Sequence, residues 1–208
     1  MGQTLLQQIE SGCDALDISL ADDQQLKLKQ YVELLVKWNK VYNLTSVRDA
    51  SEMVSRHILD SLTILPHLKG NSLLDVGTGA GLPGIPIAIA FPEMAVTLLD
   101  TNSKKTRFLQ QAKAELGLEN VTVVHARVEE ADLPKFAMVT ARAFASIEDI
   151  IDLTGQHCDD AGSLLLMKGV RPDDELEAIG SGFKLQDVLP LDVPGCEGER
   201  HLIRILKG

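Results

Sequence analysis

Residues 72–100 read SLLDVGTGAGLPGIPIAIAFPEMAVTLLD, and their pattern decides the fold. The apolar run Leu73 to Val76 predicts a strand. Gly77, Gly79, Gly81 and Gly84 predict a tight turn into a short helix, and Val96 to Leu99 predicts a second strand ending on Asp100. Such a turn needs glycine where the backbone takes positive φ or must lie close to a ligand. The helix that follows aims free N–H groups and its positive end at whatever sits above the turn. Pro86 suits the first helical turn, where a missing N–H costs nothing. An acid at the next strand's end, 23 residues beyond Gly77, is placed to accept hydrogen bonds from two ribose hydroxyls. The stretch is a nucleoside-binding βαβ unit.

Which nucleoside it takes depends on Asp75. Gly79-Ala80-Gly81-Leu82-Pro83-Gly84 is a literal G-x-G-x-x-G, a pattern common by chance that gains meaning from the strand, helix and acid in register with it. A dinucleotide pyrophosphate needs a clear path to the helix N-terminus, and a carboxylate two residues before Gly77 repels it. That carboxylate suits a cationic group. S-adenosylmethionine carries an ammonium and a sulfonium and no phosphate.

The rest of the chain sets limits. Its 208 residues suffice for one good core and a small additional lobe. A net charge of −10 opposes nonspecific nucleic-acid binding over the whole surface, so an RNA partner needs a local basic patch. Residues 24–70 hold seven Lys/Arg against four acids, while residues 1–23 hold five acids and no Lys or Arg. This surface either meets phosphates or is a solvated helix face. Cys13, Cys158 and Cys196 lie far apart, which suits free thiols in a reducing compartment and neither a zinc site nor a disulfide framework. With no basic residue before Lys27, no Ser or Thr at position six and no long apolar run, a cytoplasmic protein without a membrane partner or metal is expected, acting as a monomer.

Taken in order, residues 4–18 predict a short amphipathic helix, and Ser19 with Asp22 has capping-box spacing before a second helix to about Tyr42. That helix places Leu28, Tyr31, Leu35, Trp38 and Tyr42 on one stripe. A third, from near Ser51 to Pro66, buries Val54, Ile58, Leu62 and Leu65. Residues 1–70 thus form a helical N-terminal lobe, facing RNA or serving as a lid, ahead of a domain over 71–208. In that domain a helix over Ser103 to Leu116 is closed by Gly117, and strands follow at 121–125, 136–140, 162–168, 183–191 and 201–207, with a helix at 147–157. Two final strands with no helix between them imply an antiparallel hairpin at the sheet edge, unlike a nicotinamide-binding domain.

Ligands of open α/β sheets lie beyond the carboxyl ends of the strands. The candidates there are Asp75, Gly77, Gly79, Gly81, Leu82, Asp100, Val128, Glu129, Arg142 and Lys168. Val128 and Glu129 offer a backbone N–H and a carboxylate to adenine, although Glu129 equally suits a helix N-terminus. After the fourth strand, Thr140-Ala141-Arg142-Ala143-Phe144 holds neither the Asn/Asp-Pro-Pro-aromatic turn of amine methylation nor a cysteine nucleophile for a pyrimidine carbon. An atom with a free lone pair and no proton to lose, such as guanine N7, needs neither device, and no general base is expected. Catalysis then rests on proximity and orientation, with Arg142 and Lys168 as the candidate catalytic residues. Arg142 anchors the methionine carboxylate, bonds the target base, or makes a structural ion pair.

The segments WNKVYNLTSVRD (38–49), RHILDSL (56–62), LLDVGTGAGLPGIPIAI (73–89), RVEE (127–130), ARAFAS (141–146), LMKG (166–169) and GERHLIRI (198–205) together resemble the glucose-inhibited division protein B family of bacterial small-subunit ribosomal RNA guanine-N7 methyltransferases. The resemblance covers nearly the whole chain. It implies a class I, Rossmann-like methyltransferase fold with a mostly parallel seven-stranded sheet and an antiparallel terminal strand. It also implies S-adenosylmethionine as donor and a guanine of 16S ribosomal RNA, free or in the small-subunit particle, as target. By position the family's cofactor contacts fall on Gly77, Leu82, Val128, Glu129 and Arg142, and Gly79-Ala80-Gly81 replaces the common Gly-Pro-Gly. Lys37, Lys40, Arg48, Arg56, Arg200, His201 and Arg204 are the expected RNA-binding residues. The nearest alternative is a small-molecule methyltransferase with the lobe as lid; a nicotinamide enzyme or a noncatalytic RNA-binding protein fits the turn and the hairpin less well.

Overall fold

A computed structural model describes residues 2–142, 145–177 and 179–208. Its seven strands are β1 (Ser72–Val76), β2 (Ala95–Asp100), β3 (Val121–His125), β4 (Phe136–Arg142), β5 (Cys158–Lys168), β6 (Phe183–Pro190) and β7 (His201–Lys207). They form one sheet in the order β3-β2-β1-β4-β5-β7-β6. Strands β1 to β5 run parallel, and β7 is antiparallel to both β5 and β6. The terminal hairpin therefore inserts β7 between β5 and β6, which leaves β6 at the edge. The strand order reverses between β1 and β4, so the crevice lies above the ends of those two strands.

Successive side chains of a strand point to opposite faces. Leu73, Leu98, Met138, Leu165 and Leu202 face one cluster, and Leu74, Leu99, Val139, Leu164 and Ile203 face the other. The first face is covered by α1 (Leu5–Ala15), α2 (Asp22–Tyr42), α5 (Gly84–Ala90) and α6 (Ser103–Leu116), together with the helix that runs from α3 (Ala50–Met53) through a π-wound stretch (Val54–Leu59) to α4 (Asp60–Leu62). The second is covered chiefly by α7 (Ile147–Thr154). Leu28, Tyr31, Val32, Leu35, Ile58 and Leu62 of the first seventy residues are fully buried. Each contributes roughly 1.5–3 kcal/mol by leaving water, so these helices are fixed to the sheet's core.

Several boundaries differ from the sequence reading. Helix α2 starts after Ala21, not at a Ser19 cap, because the Gln24 side chain accepts the Ala21 N–H (2.9 Å). The same side chain donates to the Ile89 and Ala90 carbonyls (2.9 Å each) at the end of α5. Pro66 does not end the third helix, which finishes at Leu62; it sits in a separate 3-10 turn, Leu65–His67. Strand β5 starts at Cys158, earlier than expected, and α8 (Asp173–Leu176) was not expected at all. Among the described residues no helix is long and apolar enough to cross a membrane.

Candidate active site

The turn after β1 is the floor of the site. Gly77, Gly79 and Gly81 take φ of 64°, 63° and 93°, which L side chains rarely adopt. A Cβ on Gly79 would meet nothing nearer than 3.9 Å, so this position opens upward. A Cβ on Gly81 would lie 2.6 Å from Ile85 Cδ1 and 2.9 Å from Leu109 Cδ2. Gly81 therefore serves packing under the turn and does not clear space for a ligand, contrary to its expected place among the cofactor contacts. Asp75 also sits behind the turn. Its Oδ2 accepts from the Thr78 hydroxyl (2.6 Å) and the Gly84 N–H (2.8 Å), while Oδ1, fully buried, has no partner. Burial pushes this carboxyl up to about 7. It does not project toward a ligand as expected, and any effect on a cationic group is through its field.

Asp100 joins the turn to β2. Its Oδ2 accepts the Gly79 N–H (2.9 Å) and its Oδ1 the Asn102 N–H (2.8 Å), with Lys105 Nζ 3.7 Å away. Tyr31 of α2 donates from the opposite side to the Ala80 carbonyl (2.6 Å).

Two adjoining cavities open above this floor. The smaller, about 390 Å³, is lined by Val76, Gly77, Leu99, Asp100, Val128 and Glu129. The larger, about 500 Å³, lies over Gly77 to Ala80 and Leu82 and is walled by residues 44–47, Arg56, His57 and Asp60 from the first seventy residues, and by Met167, Lys168, Arg200 and His201. Gly77, Lys105 and Arg142 line both. The expected cofactor residues Gly77, Gly79, Leu82, Asp100, Val128, Glu129 and Arg142 are thus brought together.

The larger cavity is cationic. Arg56, Lys105, Arg142, Lys168 and Arg200 line it, and Asp60 is the one carboxylate there among the described residues. Asp60 is buried, with Oδ2 accepting from Arg142 Nη1 (3.0 Å) and Oδ1 from Arg200 Nε (3.2 Å). His57 Nδ1 lies 2.9 Å from the Arg56 carbonyl and must donate to it, so Nε2 accepts from the Thr45 hydroxyl (2.8 Å). Burial, with Arg142 close by, pushes His57 down to about 4, which keeps it neutral.

Other expected residues are placed differently. Lys168 lines the cavity, but its ammonium donates to the Ala145 carbonyl (2.7 Å) and to Glu175 (2.9 Å). That ties it to structure and argues against the direct catalytic role expected of it. Ala143 and Phe144, which follow Arg142 in the sequence, lie outside the described residues. Of the expected RNA contacts, Arg56, Arg200 and His201 are at the cavity, and exposed Arg48 flanks residues 44–47 while donating to Asn43 Oδ1 (2.8 Å). Lys40 is exposed on α2 and lines no cavity described here. Lys37 borders a different groove with Glu33 and Glu115. Arg204 is paired with Asp187 of β6 (2.6 Å) and lines neither cavity, so it is not part of this surface. Sequence reasoning missed Asp60, His57 and Lys105. The first two lie in the RHILDSL segment, whose buried helical stripe drew attention from its polar positions.

A model of the family described as GidB, rRNA small subunit methyltransferase G, matches residues 24–203. The chain belongs to this family. Ribosomal RNA small subunit methyltransferase G of Stutzerimonas stutzeri is 52% identical over 201 residues, 95% of this chain and 93% of that protein. The protein of the same description from Marinobacter nauticus is 49% identical over 202 residues, 96% and 94%. Among solved structures, a SAM-dependent methyltransferase from Aquifex aeolicus superposes with TM-score 0.59 at 17% identity, covering 83% of this chain and 97% of its own. The glycopeptide N-methyltransferase MtfA, solved with S-adenosylmethionine, gives 0.62 at 13% identity, over 73% and 87%. At these identities the likeness is one of fold, and the fold is the class I methyltransferase expected from the motifs.

Proposed function

We propose that the protein transfers the methyl group of S-adenosylmethionine to N7 of a guanine in small-subunit ribosomal RNA, in the cytoplasm. The observation that carries this reading is the larger cavity, where five Lys/Arg side chains gather in a chain of net charge −10. Arg142 and Arg200 share the buried Asp60, and Arg56, Lys105 and Lys168 lie 3.8, 3.7 and 2.9 Å from Glu52, Asp100 and Glu175. A polyanionic substrate explains such a concentration of positive charge, and a small neutral acceptor does not.

The residues present fit the donor. Asp100 at a strand end, beside Val128 and Glu129, suits a nucleoside in the smaller cavity. A cationic methionine group bound above the turn would favour the ionised form of the buried Asp75 carboxyl, whose one oxygen is unpartnered. When bound, the donor supplies an electrophilic methyl on its sulfonium. Guanine N7 attacks with a lone pair and releases no proton, so the site needs no base. Two candidates are already engaged: His57 Nε2 is occupied by Thr45, and both Asp60 oxygens by arginines. Arg142, lining both cavities, would hold donor and base in relation to one another, which is catalysis by orientation. Arg56, Arg200 and His201 would meet the RNA, with Arg48 at the edge.

Nucleoside mass spectrometry of 16S ribosomal RNA from cells with and without the gene tests this. Loss of one 7-methylguanosine per molecule in the deletion, restored by the gene, is the expected result. An unchanged nucleoside profile overturns it.

A further inference from the structure

Asp60 is a buried carboxylate joining three parts of the chain that are remote in sequence. It stands at the first position of α4, and its oxygens take one guanidinium each: Arg142 from the end of β4, 82 residues away, and Arg200 from the approach to β7, 140 residues away. The arginine side chains are 24% and 26% exposed, while the Asp60 side chain is 3% exposed. The carboxylate therefore shows only a trace of its surface at the cavity wall, and the guanidiniums cover the rest. The stretch leading into Asp60, Val54–Leu59, is π-wound. π turns are rare, bond less well than α-helix and recur at functional sites. Stability alone is a weak reason to keep a buried ion triad, since apolar residues of similar volume serve as well or better. Geometry is a better one. Arg142 engages Asp60 and the Arg56 carbonyl through Nη1 alone and keeps its Nε and Nη2 N–H groups for the cavity. Arg200, whose Nη1 also donates to the Glu199 carbonyl (2.7 Å) and Nη2 to Cys196 Sγ (3.5 Å), keeps one N–H on each Nη.

We propose that Asp60 is a positioning residue that aims Arg142 and Arg200 into the cavity as a fixed pair, Arg142 toward the boundary of the two cavities and Arg200 toward the RNA. The inference rests on the methyltransferase reading above. Asp60 itself touches neither substrate; it acts through the arginines. An amide in its place has one acceptor oxygen, and its NH2 group faces one guanidinium donor to donor, so that arginine swings away.

The test is a cycle of variants on methylation of small-subunit particles lacking the modification, with donor affinity read separately by calorimetry. Asp60→Asn is expected to lower kcat/KM at least thirtyfold, with a thermal midpoint within a few degrees of wild type. In an Arg142→Ala, Arg200→Ala background the same change should alter kcat/KM less than twofold, because the groups it aims are gone. An additive loss there, or a wild-type rate in the single variant, overturns the proposal. Should Asp60→Asn fail to fold, Arg200→Lys, at a partly exposed site, keeps the charge but loses the Nε–H bond to Asp60. It is expected to lose at least tenfold in kcat/KM with donor affinity unchanged, and a wild-type rate overturns the proposal. Absence of methylation by wild type under the same conditions would instead refute the reading beneath it.

Discussion

Asp75 lies fully buried under the glycine turn with one oxygen unpartnered, and its titration is a property of the fold that can be measured. Burial raises its folded-state pKa from 3.8 to about 7, so between those values the folded chain holds a proton that the unfolded chain has lost. Its contribution to stability is complete below about pH 4 and is lost as pH rises through about 7. Asp75→Asn keeps an acceptor for Thr78 and Gly84 and never ionises. Thermal midpoints measured from pH 4 to 8 should show the variant gaining on wild type as pH rises, with the gap level above about 7. Parallel curves would mean that Asp75 titrates normally. Gly79 and Gly81 separate in a different way. Gly79→Val strains a positive-φ position by about 1–3 kcal/mol, but its side chain enters open space, so a folded protein with S-adenosylmethionine affinity reduced over a hundredfold is expected by calorimetry. Gly81→Val drives atoms into Ile85 and Leu109. Its main effect is instability, about 2 kcal/mol or more, seen as a lowered thermal midpoint without donor present.

Helix α2 connects the early helices to this turn. Gln24 holds the end of α5, Tyr31 bonds the Ala80 carbonyl, and Trp38 meets Phe108 of α6 edge-on at 5.7 Å between ring centroids. Tyr31→Phe keeps the ring and leaves the buried Ala80 carbonyl unpaired, which costs about 1–3 kcal/mol. For a chain of this size that lowers the thermal midpoint by roughly 2–4 °C per kcal/mol. Donor affinity should fall with it, because Ala80 belongs to the turn; a loss of stability with unaltered donor binding would separate α2 from the site. The apolar stripe of α2 was legible in sequence because it is local and periodic, and so were β1, β2 and the acid at Asp100. The Tyr31 bond was not, since nothing in a helical repeat shows which carbonyl a buried hydroxyl reaches. For the same reason Asp60 passed unnoticed while Arg142 was seen. A residue at a strand's carboxyl end is placed by topology, whereas Asp60 acquires its meaning only from partners brought in by the finished fold. Lys168 and Arg204 show the converse, because correct placement of their strands did not reveal Glu175 or Asp187 beside them.

Charge over the molecule is strongly uneven, with a net of −10 and yet a cavity lined by five cations. At long range the chain repels RNA, and at the cavity it attracts it, so binding should depend steeply on salt and on few residues. Each phosphate contact adds roughly 0.7–0.9 to the slope of log affinity against log salt. Arg48 and Arg56 are exposed beside the cavity, while Lys37 lies in a groove with Glu33 and Glu115. Neutralising Arg48 and Arg56 together is therefore expected to flatten the slope by about 1.4–1.8 if each meets one phosphate, and to weaken binding at low salt. Lys37→Ala is expected to leave the slope unchanged, although a count of charge over residues 24–70 would treat the three alike. Filter binding of small-subunit RNA across 50–300 mM salt reads both. Calorimetry with S-adenosylmethionine in the same variants should return wild-type affinity, since neither arginine lines the smaller cavity. A slope that responds to Lys37 and ignores the two arginines would move the RNA path from the cavity mouth to the outer face of α2.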